Sequence, residues 1–123
     1  MPALLIVYHS KEGSTARMAA EVLRGASHPD IEVDIRFKLA READVDDLLW
    51  CDGLILGTPE NFGYMSGAMK DFFDRTFYPA EGKVQGLPYA LFVSAGNDGQ
   101  GAISSVQRIV KGFPFREVHE PVV

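Results

Sequence analysis

Leu4-Leu5-Ile6-Val7-Tyr8-His9-Ser10-Lys11-Glu12-Gly13-Ser14-Thr15 runs from an unbroken apolar stretch into a hydroxyl-rich turn, and helical periodicity starts directly behind it. The segment reads as a buried strand, a turn and a helix start. The first turn of a helix presents backbone N–H groups without intrahelical partners at the positive end of the helix dipole. Ser10, Ser14 and Thr15 add short hydroxyl donors at the same point, so the loop suits a dianionic phosphate. It lacks the Gly-Lys-Ser/Thr ending of a nucleoside-triphosphate loop and the Gly-x-Gly-x-x-Gly of a pyrophosphate site, which favours a terminal phosphate monoester over ATP or NAD. A plain turn at Gly13 and a simple N-cap stay open as readings of the same residues, and Lys11 and Glu12 read as solvated.

Further along, the apolar runs Ile31 to Phe37, Gly53 to Gly57 and Tyr89 to Ser94 predict buried strands, with a weaker fifth at Glu117 to Val123. Between them lie helical stripes: Met18, Ala19, Val22, Leu23 and Ala26; Met65, Met69, Phe72, Phe73, Thr76 and Phe77; Ala102, Ile103, Val106, Ile109 and Val110. Arg41 to Trp50 predicts a short helix, Ser27 to Asp30 a turn, and Tyr78 to Leu87 a longer loop. Strands alternating with helices imply parallel pairing through right-handed crossovers, hence a doubly wound α/β sheet. Ligands of such sheets bind outside the carboxyl ends of the strands.

Three unusual loops fall at those ends. Besides the first, Thr58-Pro59-Glu60-Asn61-Phe62-Gly63-Tyr64-Met65 offers an amide and two rings on a backbone shaped by Pro59 and Gly63, a surface that suits a flat heteroaromatic ligand. Phe62 and Tyr64 serving only as a cover for the sheet is the alternative. Ser94-Ala95-Gly96-Asn97-Asp98-Gly99-Gln100-Gly101 holds three glycines and no aromatic, so its backbone can approach a ligand edge. Flavin mononucleotide combines a terminal phosphate with a flat ring system.

The 123 residues form one domain, 1–123, with 46% hydrophobic and 24% charged residues, as in an ordinary globular protein. A net charge of −5 without a basic run argues against nucleic acid or an anionic membrane as partner. The single cysteine, Cys51, excludes an internal disulfide and reads as a small buried group beside Trp50. His9, His28 and His119 are dispersed, so no metal site is expected. No signal peptide or membrane-spanning run is evident, and a cytoplasmic location is the expectation.

On these residues the chain resembles the flavodoxin-like superfamily, particularly its FMN-dependent NAD(P)H:quinone oxidoreductase and FMN-reductase branch. The resemblance rests on Ser10 to Thr15, on Ser94 to Asn97, and above all on the Gly57-Thr58-Pro59 strand end followed by Gly67-Ala68-Met69-Lys70-Asp71-Phe72-Phe73-Asp74. It implies a five-stranded parallel sheet of order 2-1-3-4-5. It implies that Ser10, Lys11, Gly13, Ser14 and Thr15 hold the FMN phosphate, that Thr58, Pro59, Glu60, Asn61, Phe62 and Gly63 line the isoalloxazine, and that Ser94, Ala95, Gly96, Asn97 and Gly99 approach the opposite edge. NAD(P)H as donor and a quinone as acceptor follow, with no side-chain nucleophile or general base. The first rival is an electron-carrying flavodoxin without a small-molecule substrate, and the second is a nonenzymatic flavodoxin-like scaffold that has lost FMN. The sequence departs from the superfamily by an aromatic-free third loop, which leaves one flavin face open, and by stopping at the fifth strand without a closing helix. That ending implies a fragment, or a homo-oligomer that covers the exposed strand surface.

Overall fold

The computed structural model describes residues 1–10 and 13–123. The apolar run around Ile6 becomes β1 (Ala3–Tyr8), in which Leu5, Ile6 and Val7 are wholly buried because β1 lies inside a sheet. β2 (Asp34–Leu39) pairs along one side of it and β3 (Gly53–Pro59) along the other, both parallel. β4 (Pro88–Ser94) continues from β3, and β5 (Arg116–Glu117) closes the series, giving the order β2-β1-β3-β4-β5. The helices are α1 (Ser14–Ala26), α2 (Val45–Trp50), α3 (Gly67–Ala80) and α4 (Gln100–Val110), alternating with the strands as the sequence implied.

Several boundaries differ from the sequence expectation, each for a local reason. β2 begins three residues after Ile31, because its register is set by pairing Ala3 with Asp34 through Tyr8 with Leu39. Ile31 instead closes a turn onto the His28 carbonyl at 2.9 Å. α2 starts at Val45 and not at Arg41: Asp44 caps it, the Asp47 carboxylate accepts the Asp44 N–H at 3.0 Å, and residues 39–43 form a preceding turn. α3 takes the first three residues expected for the following loop, with Pro79 in its last turn. The expected fifth strand is split: after Glu117 the chain leaves the sheet and rejoins it at Val122, beside Phe92.

The main core lies on one face of the sheet, where Leu5, Val7, Leu54, Leu56, Leu91 and Val93 meet Met69, Phe72 and Phe73 of α3 and Ala102, Ile103 and Val106 of α4. On the opposite face α1 packs and buries Ala19, beside an open apolar groove of about 340 Å³ lined by Met18, Val22, Ile55, Ala90, Phe92 and Val122. The motif behind β3 works mostly through packing. Met69, Phe72 and Phe73 fill the core, Lys70 and Asp71 pair along the helix with Asp74 and Arg75, and Arg75 donates to the Ala40 and Ala43 carbonyls at 2.7 and 2.9 Å.

Among the described residues Asp47 is the buried charge, 3% exposed, with Arg36 at 2.9 Å and Lys38 at 3.0 Å. Burial alone would raise its pKa, but hydrogen bonds from Lys38, the Asp44 backbone and Arg36 outweigh that and hold it below the usual carboxylate value. Arg36 also stacks over the Trp50 ring at 4.1 Å. Cys51 is buried as expected; burial is the main cause that pushes its thiol up to about 11.

Candidate cofactor-binding site

Because β1, β3 and β4 are parallel neighbours, the loops that leave them emerge at one carboxyl edge. Two backbone hydrogen bonds join them there. The His9 N–H reaches the Gly57 carbonyl at 3.1 Å, and the Glu60 N–H reaches the Ser94 carbonyl at 2.9 Å.

The first loop is shaped for its turn by Gly13, whose φ of 95° is the left-handed conformation that glycine adopts at low cost. The Ser10 Oγ accepts the Gly13 N–H at 3.0 Å, so the Ser10 hydroxyl proton is left to point elsewhere. The first intrahelical bond runs from the Arg17 N–H to the Gly13 carbonyl, so the N–H groups of Ser14, Thr15 and Ala16 have no partner within α1. Ser14 is exposed. Thr15 is 2% exposed, and its hydroxyl makes no hydrogen bond to a described residue. Arg17, which the sequence reading passed over, bends back to the Gly13 carbonyl at 3.4 Å and sets a guanidinium beside the loop. This donor set fits a phosphate: a helix dipole, N–H groups without partners inside α1, the hydroxyls of Ser10, Ser14 and Thr15, and one cation. Lys11 lies outside the described residues.

The second loop is a built hairpin. Asn61 and Tyr64 exchange both backbone hydrogen bonds, at 2.8 and 3.0 Å, around Phe62 and Gly63. Its base is fixed by Thr58, fully buried, whose hydroxyl donates to the Pro59 carbonyl at 2.8 Å and accepts the Ser66 N–H at 3.0 Å. Ser66 then caps α3 by accepting the Met69 N–H. The Glu60 carboxylate accepts the Ala102 N–H at 3.2 Å, in the first turn of α4. The side chains of Thr58 and Glu60 therefore brace the loop and tie it to α4, while those of Phe62 and Tyr64 are exposed.

The third loop repeats that economy. Asn97 accepts the Gly99 N–H at 3.0 Å and Asp98 accepts the Gln100 N–H at 3.1 Å, so both side chains fold back onto their own turn. Ala95 packs on the core, Gly96 borders open space, and Gly99, with φ of 70°, is buried against Val93 and Val123. Two positions that hold the second loop were not read from the sequence. Ser105 accepts the Met65 N–H at 3.0 Å and donates to the Ala102 carbonyl at 2.9 Å, and Gly101 lies so close under Gly63 that a side chain has no room. The available signal was a serine set into the apolar stripe of α4.

An open parallel α/β sheet with a phosphate-type first loop, met by two further loops at the same edge, defines the flavodoxin-like class. The chain belongs to the NADPH-dependent FMN reductase family, whose profile matches residues 2–119. It is similar to a flavodoxin of Aquifex aeolicus, at 35% identity over 118 residues that cover 94% of this chain and 63% of that protein. It is also similar to an NAD(P)H dehydrogenase (quinone) of Acidithiobacillus ferrooxidans, at 37% identity over 114 residues, or 76% of this chain and 57% of that one. The chain thus spans less than two thirds of the length of these two curated relatives. Among solved structures, a flavodoxin from the domain Archaea superposes with a TM-score of 0.82 at 20% identity, covering 98% of this chain and 82% of the other. Among the described residues no helix is long and apolar enough to cross a membrane.

Proposed function

We propose that residues 1–123 form one FMN-binding domain of a cytoplasmic oxidoreductase that passes electrons from NAD(P)H to a quinone or similar acceptor. The observation that carries this reading is the first turn of α1, where Ser10, Thr15, Arg17 and three N–H groups without helical partners belong to one loop and helix start. In this reading Ser10, Gly13, Ser14 and Thr15 hold the phosphate, joined on sequence grounds by Lys11. The backbone of Thr58, Pro59, Glu60, Asn61, Phe62 and Gly63 lies along the ring system, and Ser94, Ala95, Gly96, Asn97 and Gly99 follow its other edge. FMN, when bound, supplies the two-electron and one-electron chemistry; the chain orients it and governs what reaches it. The family and the quinone-reductase relative support the same assignment. The groove beside α1 supports self-association, to be read by light scattering.

Titration with FMN and riboflavin, followed by fluorescence, tests the phosphate assignment. A hydrogen bond to a charged phosphate contributes roughly 1.5–3 kcal/mol, so Ser10→Ala or Thr15→Ala is expected to weaken FMN by about tenfold or more and leave riboflavin unaffected. Equal affinities for the two flavins refute it.

The carrier reading is favoured by one finding, the flavodoxin relative. Anaerobic mixing separates the two. The aromatic-free third loop leaves room for a nicotinamide to approach to roughly 3–3.5 Å, so direct bleaching by NADH or NADPH is expected, and a flavin that stays oxidised supports the carrier. Gly96→Trp is expected to slow bleaching, because Gly96 borders open space; Gly99 is unsuited to that substitution, being left-handed and packed against Val93.

A further inference from the structure

Between the second-loop hairpin and α4 lies a cavity of about 260 Å³ that the three loops of the cofactor site do not use. The hairpin contributes Gly63 and Tyr64 as one wall. Gly101, Ser104, Ser105 and Arg108 form the other, because positions three, four and seven apart share one side of a helix. The close seating of the Gly63 backbone on Gly101 fixes the two walls relative to each other. A space of this size falls below that of a pocket for a whole drug-sized ligand, roughly 300–1,000 Å³, and suits one charged group with part of what carries it.

The two serines differ in what they have left to offer. Ser105 is buried and already engaged, accepting the Met65 N–H and donating to the Ala102 carbonyl. Ser104 is exposed, one turn before Arg108, and its hydroxyl makes no hydrogen bond among the described residues. Arg108 is also exposed, and among the described residues it has neither an ion pair nor a hydrogen bond, whereas Arg24, Arg36 and Arg75 are each matched to a carboxylate. Among the described residues no carboxylate lines the cavity, in a chain with 17 acidic and 12 basic residues. A cation in the last turn of α4 favours the helix dipole, but that role does not call for an open hydroxyl beside it in a cavity.

A guanidinium and a hydroxyl four positions apart stand about 5–6 Å from each other at Cβ, close enough to donate to one anion. A phosphate monoester accepts from both, and the planar guanidinium grips it through two N–H groups at once. Building on the FMN and NAD(P)H reading, we propose that this cavity receives the ribose 2′-phosphate by which NADPH differs from NADH, with Arg108 and Ser104 as its donors. Gly63 borders the cavity and belongs to the loop assigned to the ring system, so the donor's phosphate end and the flavin are served by the two sides of one hairpin. The net charge of −5 repels a further anion, so a preference for the more highly charged nucleotide has to be built locally.

The test uses the FMN-loaded, oxidised protein at low salt and calorimetric titration with NADP⁺ and NAD⁺, which differ only in the 2′-phosphate and cannot reduce the flavin. Bound FMN also keeps the first loop from capturing a nucleotide phosphate. The wild type is expected to bind NADP⁺ about tenfold more tightly than NAD⁺, and Arg108→Gln to bring the two within about twofold. Arg108→Lys, which keeps the charge at the helix end but loses the fork, is expected to keep a preference of about threefold, and Ser104→Ala to narrow it about threefold. All three variants are expected to leave the FMN Kd within about twofold. Equal affinities of the wild type for the two nucleotides overturn the proposal, as does a tenfold preference that survives Arg108→Gln. Inorganic phosphate that binds as tightly as NADP⁺ overturns it by assigning the cavity to free phosphate, and a tenfold loss of FMN affinity in Arg108→Gln does so by assigning Arg108 to the flavin. A wild-type protein that takes up no FMN refutes the functional reading itself, before any nucleotide is added.

Discussion

Replacing Gly101 by alanine sets two effects of opposite sign against each other. In an open helix, alanine is favoured over glycine by about 1 kcal/mol. Here the added Cβ would stand 2.5 Å from the Gly63 carbonyl carbon and closer still to its oxygen, whereas real Cβ atoms essentially never come within 3.0 Å. The obstacle is backbone, so the hairpin must retreat by at least about 0.8 Å as a body to clear the carbonyl oxygen. Overpacking of this kind costs about 1–3 kcal/mol. The retreat also pulls on the Met65–Ser105 bond at 3.0 Å and the Glu60–Ala102 bond at 3.2 Å, and a buried N–H left unpaired costs a further 1–3 kcal/mol or so. The clash wins. Gly101→Ala is expected to lose about 1–3 kcal/mol, read as a fall of about 3–12 °C in Tm, and to weaken FMN about tenfold by moving the second loop. Gly67→Ala, in the first turn of α3 with nothing within 4 Å of the new carbon, is the control and is expected to be neutral or stabilising. A Gly101→Ala protein as stable as the wild type, with unchanged FMN affinity, refutes the idea that α4 positions this loop.

Asp47→Asn is expected to cost about 2–3 kcal/mol in urea unfolding, less than the roughly 3–5 of a fully buried pair because Arg36 and Lys38 reach solvent. Because the Asp47 pKa is lowered on folding, its contribution is fully present above the ordinary carboxylate value near ~3.9 and is lost as pH falls through the lower folded value, so the wild type should lose more stability than Asp47→Asn between pH 5 and 2 or so. Arg17→Gln is expected to weaken FMN about three- to tenfold at low salt with little effect at about 0.5 M salt, and to leave riboflavin unchanged; a salt-independent loss argues for a packing role instead. With its thiol pushed up to about 11 and buried, Cys51 is expected to resist a thiol reagent at about pH 8 until urea unfolds the chain, and rapid labelling of the native protein contradicts that packing.

The architecture was legible because its signals are local and redundant. Each central strand is apolar enough to be read alone, and Met69, Phe72 and Phe73 announce a buried helix face whatever lies opposite. Boundaries failed where a partner elsewhere in the chain decides them. Nothing around Ile31 shows that β1 pairs from Ala3 with Asp34, and the capping box at Asp44 competes successfully with a helical pattern that begins earlier. The interruption of β5 has the same origin, since only the pairing of Val122 with Phe92 brings the chain back to the sheet.

The candidate site was legible as three loops at one sheet edge and much less as side-chain roles, and the difference is physical. Residue type states what Thr58, Glu60 and Asn97 are able to bond, but not that Ser66, Ala102 and Gly99 have already taken those groups. Once they are taken, those side chains have become supports of the loops that carry them. The supports that escaped notice, Ser105 and Gly101, sit on α4, forty and thirty-eight positions beyond the Met65 and Gly63 they hold. Phe62 is the reverse case: its aromatic character was plain, while the sign of its φ was not, although a Phe-Gly pair between residues that close a two-residue hairpin stands where Asn-Gly is the unstrained choice. The position at which the local rule is broken is therefore also the position where the ring is left uncovered, so neither feature could be read from the residue type alone.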